Sequence, residues 1–478
     1  MLTLSSWKNI GGCLLLCVSA AISSSAQTFT TLHTFDLTDG AFPFGTLVQG
    51  LDGNFYGTTA QGNGRNQCAG GCGTIFKITP QGTLTTLHNF NKTDGAYPVA
   101  GLVLSMDGNF YGSTFGADST QSTSEPLPSL IFEITPDGTL TNLAANTASP
   151  SALMQNVING AFYGTTGRFV FSATGDGTVS FIHTFCGQPS CGGTAKGYGP
   201  LGPLIQGTDL YMYGTTAFGG DATVGEALGT VFKIGTGGVL TTLHTFDSSD
   251  GAIPIGALTE GSDGNFYGTT SVGGTPQRGT VFKMTPSGEV TTLYQFCSMA
   301  KCTDGFNPVA GLIQATDANF YGTTQYGGSF GVSPSGMGYG TVFQITPTGT
   351  LITLHSFDGT DGMLPQGGLV QGTDGNLYGV ATGTDAVHAW GTIFKISMGL
   401  APFVKTVPVA AYPGKKIFIL GTNLTGATGV NFNNQAANFT VVSATEITAT
   451  VPAGSMTGMV VVTTPCGSIS SNVPFRVF

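Results

Sequence analysis

Histidine, aspartate and cysteine are the residue types in this sequence that could do chemistry, and each recurs at spacings that disperse it. His33, His88, His183, His244 and His355 all sit two residues before a Phe in copies of one segment. Convergent imidazoles could hold a metal or move protons. Outer strands of successive repeat units lie far apart, so a repeated packing and hydrogen-bonding role is expected instead. Asp52, Asp107, Asp263, Asp317 and Asp374 each open an Asp-Gly-Asn or Asp-Ala-Asn turn. One carboxylate per turn is too few for a calcium ion that takes six to eight oxygens, so these aspartates are expected to close turns. The pairs Asp36/Asp39, Asp247/Asp250 and Asp358/Asp361 offer two carboxylates each and make a better metal case. Turn stabilisation is expected there too, and no metal or cofactor is expected.

Nine cysteines are present, two of them in the first 26 residues. Six of the rest form close pairs: Cys68 with Cys72, Cys186 with Cys191, and Cys297 with Cys302. The pairs lie more than 100 residues apart, which argues against one four-ligand zinc site and for three local disulfides in an oxidising compartment. Cys466 is left over and is expected as a buried thiol. The sequence has no G-x-S-x-G elbow, no H-E-x-x-H and no phosphate-binding Gly loop with its Lys.

The elements that carry these residues are repeats. The segment Asp52-Gly-Asn-Phe-Tyr-Gly-Thr-Thr59 recurs around Tyr111, Tyr163, Tyr213, Tyr267, Tyr321 and Tyr378, and Gly73-Thr-Ile-Phe-Lys-Ile78 recurs as often. Each unit reads as four strands. A is a short apolar run, B the Phe-Tyr segment, C the Thr-Ile-Phe segment, and D a Thr-Leu-rich strand such as 83–90. Four strands per unit of about 50 residues is a propeller-blade signature. Strand D is missing after the last C strand, and its counterpart, Thr28-Phe-Thr-Thr-Leu-His-Thr-Phe35, stands near the N-terminus. The expected fold is therefore all-β: a seven-bladed β-propeller over 27–397, closed by the N-terminal strand so that no sheet edge is left open. A linker at 398–402 and an Ig-like β-sandwich at 403–478 follow, the latter from short alternating strands with frequent turns.

The repeat resembles the tandem GloVer repeat family of exported bacterial proteins across residues 28 to 397. That resemblance implies export and no defined activity. The Asp-Gly-Asn-aromatic turn also looks like that of other secreted propellers, including lyases of the streptogramin type. Residues 403 to 478 are similar to an IPT/TIG domain, which implies a spacer or adhesive module; Cys466 stands where that pattern has Gly.

Composition bounds the function. The 478 residues include 75 Gly and carry a formal net charge of −10, yet only 8% are charged while 40% are hydrophobic. Disorder needs the opposite balance, and nucleic acid would need a clustered basic stripe. Residues 1–26, with Lys8 ahead of an apolar run and Ser24-Ser-Ala26 at the end, read as a secretory signal peptide. A lipoprotein signal at Cys13 or Cys17 fits poorly. No later stretch is long enough for a membrane span. A monomer that is secreted, periplasmic or displayed at the cell surface is expected.

The A-to-B and C-to-D turns are short and nearly identical, whereas the D-to-A and B-to-C connections vary, so the face bearing the latter is the expected binding surface. Its candidate ligand-binding residues are Trp390, His388, Arg168 and Tyr326. Between strands B and C of the third unit only Gly167 and Arg168 intervene, which should leave a notch. The expected function is non-enzymatic recognition of a glycan or cell-surface protein. The alternatives are a polysaccharide lyase or hydrolase, which would need carboxylates or histidines converging at the channel mouth, and a purely structural surface protein.

Overall fold

The Phe-Tyr-Gly-Thr-Thr segment forms the second strand of a four-stranded antiparallel sheet. The computed structural model describes residues 27–62, 68, 70–115, 129–145, 151–185, 197–220, 228–330, 337–383 and 390–478. The segments 1–26 and 186–196, with Cys186 and Cys191, and His388 lie outside them. Among the described residues the sheet recurs seven times, each copy in the order A-B-C-D, and no α-helix is present. Sheet 1 comprises Val48–Gln49, Phe55–Thr59, Thr74–Ile78 and Leu84–Asn89. In the seventh, Val370–Gln371, Leu377–Ala381 and Thr392–Ser397 are completed by Thr28–Thr34, whose Phe29 is in register with Ile396 and whose Thr34 is in register with Thr392.

Strand B is buried along its whole length because both of its faces meet neighbouring sheets. The aromatic pair divides that task. Tyr56 stacks on Phe110 of sheet 2 at 4.0 Å between centroids, Tyr267 on Phe320 at 3.9 Å, and Tyr378 of sheet 7 on Phe55 of sheet 1 at 4.0 Å. The Phe ending strand D packs edge-on against strand C of the next sheet, as Phe246 does on Phe282 and Phe35 on Phe76. Such pairs add roughly 0.5–1.5 kcal/mol each beyond their burial. Along the A strands a polar chain runs the same way. Gln49, Gln155, Gln206, Glu260, Gln314 and Gln371 each accept from a backbone N–H in the A-to-B turn of the preceding sheet. Gln49 reaches Thr373 of sheet 7. In sheet 2 the position is Leu104.

The recurrent aspartates hold turns. Asp52 accepts from Asn54 N and Nδ2 and from Tyr56 Oη, and Asp107, Asp209, Asp263, Asp317 and Asp374 take the matching tyrosine. Burial pushes the Asp263 carboxyl up, but the Lys283 ammonium at 2.9 Å and bonds from Asn265 and Tyr267 more than offset this and hold it well below the usual range. Two disulfides, Cys68–Cys72 and Cys297–Cys302, lie in the connections between strands. Cys466 is exposed at a hairpin turn, which corrects its expected burial. Val460–Thr464 before the turn buries alternate residues, whereas Gly467–Ser470 after it buries none, which leaves the turn in solvent.

The C-terminal segment folds as two further four-stranded sheets. One contains Lys405–Val407, Lys416–Leu420, Glu446–Thr450 and Phe439–Val441; the other contains Gln435–Ala436, Gly429–Phe432, Val460–Thr464 and Gly467–Ser470. They enclose Ile417, Ile419, Val430, Phe432, Ile447 and Val462. This module rests on the A-strand side of the repeat sheets. Phe403 N donates to Thr373 O, Thr445 Oγ1 to Leu51 O at 2.9 Å, and Arg476 to Gly207 O at 3.0 Å.

Lys405 is the charged group most deeply enclosed at that contact, donating to Gln371 O at 2.6 Å. Desolvation brings its pKa down to about 8, against the attraction of Asp374. The unfolded chain, with an ordinary lysine near 10.5, holds a proton between pH 8 and 10.5 that the folded chain gives up. The penalty is therefore full below pH 8 and is relieved as pH rises through that window. The unfolding midpoint should rise from pH 8 to pH 10 more steeply in the native chain than in Lys405→Met, as differential scanning fluorimetry would show. Parallel slopes would contradict the burial argument.

Candidate functional site

The histidines do not converge. His33, His88, His244 and His355 each pair six residues downstream with an aspartate of their own D-to-A connection, whereas the residue six after His183 is Pro189. His33 Nε2 lies 2.7 Å from Asp39 Oδ2, His88 3.1 Å from Asp94, His244 2.7 Å from Asp250 and His355 2.7 Å from Asp361. The other carboxylate oxygen accepts from the backbone, as Asp250 Oδ1 does from Asp247 N at 3.0 Å. The aspartate pairs are thus turn locks that tie each connection to its strand. Where strand D carries Tyr294 in place of His, Tyr294 Oη donates to the fully buried Asp304. Asp250→Ala, which removes both bonds, should cost about 1–2 kcal/mol in chemical denaturation. A cost near zero would mean that the lock is ornamental.

What does converge is the residue after the proline in each D-to-A connection. Pro43, Pro98, Pro254, Pro308 and Pro365 each pack on the glycine that starts strand C of the preceding sheet, and the chain then turns toward a point shared by all seven sheets. Phe44, Val99, Ser151, Leu201, Ile255, Val309 and Gln366, one per sheet, line a cavity of about 360 Å³ there. Its remaining wall is largely small residues, with Thr46, Thr165 and Thr166 and the half-exposed Phe115. No Asp, Glu, His, Lys or Arg lines it among the described residues. Its polar groups cluster where sheet 3 has almost no B-to-C loop. Ser151 Oγ and Thr165 Oγ1 are 2.8 Å apart, and Thr166 Oγ1 accepts from Arg168 N and Phe169 N.

The expected ligand residues divide around this cavity. Trp390 is half-buried and edge-on to Phe42 at 5.8 Å, and Phe42 stacks with Phe44 at 6.5 Å, so an aromatic strip runs from Trp390 into the cavity wall. Arg168 is exposed beside Gly167, around which space is open. Tyr326 is half-buried and stacked on Phe306 at 5.4 Å, with the Arg278 guanidinium 4.7 Å over the same ring. His388 lies outside the described residues. The seven lining residues escaped sequence reading because their types differ. Their signal was positional: each but Ser151 precedes a Gly-x-Leu or Ala-Gly-Leu or Gly-Gly-Leu run by one step after Pro.

Comparison with known proteins places both parts of the chain. The profile of the Gloeobacter/Verrucomicrobia repeat matches residues 20–168, 119–333 and 298–439, and that of the IPT/TIG domain matches residues 403–477. No curated protein sequence matches significantly. Among solved structures, the WD40 β-propeller domain of Doa1 is 9% identical, with 77% of this chain and 97% of that domain covered and a TM-score of 0.49. The extracellular domain of a hybrid two-component system from B. thetaiotaomicron is 10% identical, covering 95% of this chain and 58% of that one, with a TM-score of 0.48. A gluconolactonase from Xanthomonas campestris is 11% identical, covering 61% and 91%, with a TM-score of 0.35.

Proposed function

This chain belongs to the Gloeobacter/Verrucomicrobia repeat family and ends in an IPT/TIG domain, and from that premise we propose that it is an exported, non-enzymatic binding protein that recognises an uncharged glycan of a cell surface. In this reading the seven repeat sheets are the blades of a propeller closed by Thr28–Thr34, and the C-terminal module is an Ig-like sandwich that covers the opposite face. The two disulfides suit an oxidising compartment. Among the described residues no helix is long and apolar enough to cross a membrane.

The observation that carries the proposal is the shared cavity with its aromatic strip. General acid and base chemistry needs titratable groups within reach of the reacting atoms, and the described lining has none. A lyase or hydrolase centred on the channel mouth is disfavoured on that ground. A neutral sugar needs flat apolar surfaces for its C–H faces and neutral donors and acceptors for its hydroxyls. Phe44 and Phe42 supply the first, with Ser151, Thr166 and Gln366 supplying the second. An acidic glycan would find no cation among the described residues of that wall.

Screening the purified chain against neutral and uronic-acid-containing glycans tests this. Neutral glycans should bind, with Phe44→Ala and Trp390→Ala each weakening affinity about tenfold or more, since aromatic anchors carry much of such contacts. Binding limited to acidic glycans, or indifferent to both substitutions, would refute the reading.

A further inference from the structure

On the module side of the sheets lie two adjoining cavities of about 400 and 370 Å³ that share Val103, Leu104, Leu153, Thr406, Val407 and Val409 in their walls. They are walled by the A strands above and by Lys405–Val407 of the module below, so they exist only because the two parts meet. Leu104 contributes to both walls. It occupies the position that is Gln or Glu in the other six sheets, and a side chain that elsewhere bonds the neighbouring turn here presents hydrocarbon to the cavity. Val409 and Val473, 37% and 42% exposed, stand on the walls and open toward solvent.

One end of the smaller cavity is different. Lys405 and Asn472 both line it. Lys405 is partly exposed and lines this cavity, although it sits deep in the contact. Its ammonium has three donors, one of which goes to Gln371 O. Among the described residues no carboxylate lies within 4 Å of it; Asp374 attracts it from farther off, and its carboxylate is already held by Asn376 and Tyr378. An enclosed cation without a counter-ion is costly unless something pairs with it. The depressed pKa of the group reports the same deficit.

We propose that these cavities bind an apolar carboxylate, such as a medium-chain fatty acid or an arylalkanoic acid, with its carboxylate on Lys405 Nζ and Asn472 and its hydrocarbon along Val103, Leu104 and Val407. The carboxylate supplies the missing counter-charge, and Val103, Leu104, Leu153, Val407 and Val409 give the shared wall its hydrocarbon, while Gln155, Gln206 and Arg476 line the far part of the larger cavity. The ligand touches both parts of the chain, so its binding also holds the module onto the sheets.

Titration calorimetry on the full chain with decanoate and with decan-1-ol, below their aggregation concentrations, tests this. Decanoate should bind at one site with a dissociation constant at least tenfold below that of decanol. 4-Phenylbutyrate in parallel separates chain-shaped from ring-shaped bodies. Lys405→Met should erase the preference for the acid while decanol still binds, and Val103→Phe should weaken both ligands by narrowing the shared wall. Phe44→Ala, on the opposite side of the sheets, should change neither, which separates this site from the glycan reading. Equal affinity for acid and alcohol in the native chain, no binding of either, or full retention of decanoate binding by Lys405→Met would each overturn the proposal. The comparison of acid with alcohol in the native chain decides the matter even if a variant fails to fold.

Discussion

Deleting residues 27–36 should lower the thermal midpoint of the repeat region by more than about 10 °C and add larger associated species to those of the native chain. The removed strand holds six registered positions against Thr392–Ser397, and it inserts Phe29 and Phe35 between sheets. Phe35 is 1% exposed, and burying such a ring contributes on the order of 2 kcal/mol. Phe29 stacks on His355 of sheet 6 at 3.6 Å and lies 5.3 Å from Phe394, so its loss also loosens the neighbouring sheet. What remains is an unpaired edge at Thr392–Ser397, which invites pairing with another chain. Calorimetry with light scattering would read both effects, and a synthetic peptide of residues 27–36 should restore the transition in trans. An unchanged midpoint in the truncated chain would mean that the strand decorates the last sheet rather than completing it.

The second large effect is expected at the shared cavity, where the sheets approach so closely that only glycine fits. A Cβ on Gly256 would lie 2.7 Å from the Ala310 carbonyl carbon and 2.8 Å from Gly311 N, both backbone atoms of the next sheet. The same collision recurs for Gly45 against Gly101 N at 2.6 Å and for Gly311 against Ala257 O at 2.4 Å. Backbone cannot move aside as a side-chain tip can, so Gly256→Ala should destabilise by about 2–3 kcal/mol. Gly237, with nothing within 4 Å of its added Cβ, is the control. Gly237→Ala should fall within about 0.5 kcal/mol of the native chain. Denaturant titration of the two variants separates the claims, and similar costs at both positions would refute the crowding argument.

These expectations show which signals were local. The pairing of Phe and Tyr in Gly-Asn-Phe-Tyr-Gly marks a strand whose two faces are both buried, and that pattern is visible residue by residue. The turn role of Asp52 and its copies follows from the Asp-x-Asn-x-Tyr spacing, since the tyrosine hydroxyl returns four residues later to the same carboxylate. The six-residue step from His33 to Asp39, repeated at His88, His244 and His355, was equally legible, although it was read as separate turn and packing roles. The shared cavity was not legible. Phe44, Ser151, Leu201 and Gln366 have no common chemistry, and only the packing of seven connections around one point brings them together.

The sequence by itself determined the repeat, its four strands, the N-terminal origin of the missing one and the boundary where the repeat pattern stops. Those features rest on short-range periodicity and on turn residues, which act within a few positions along the chain. The tertiary structure alone decided that, among the described residues, seven uncharged side chains of different types converge on one cavity. It also decided that the C-terminal module lies against the A strands and encloses Lys405 beside an apolar cavity. Burial and convergence depend on contacts between residues hundreds of positions apart, such as Gln49 with Thr373 or Thr445 with Leu51, and no local pattern encodes which of them will meet.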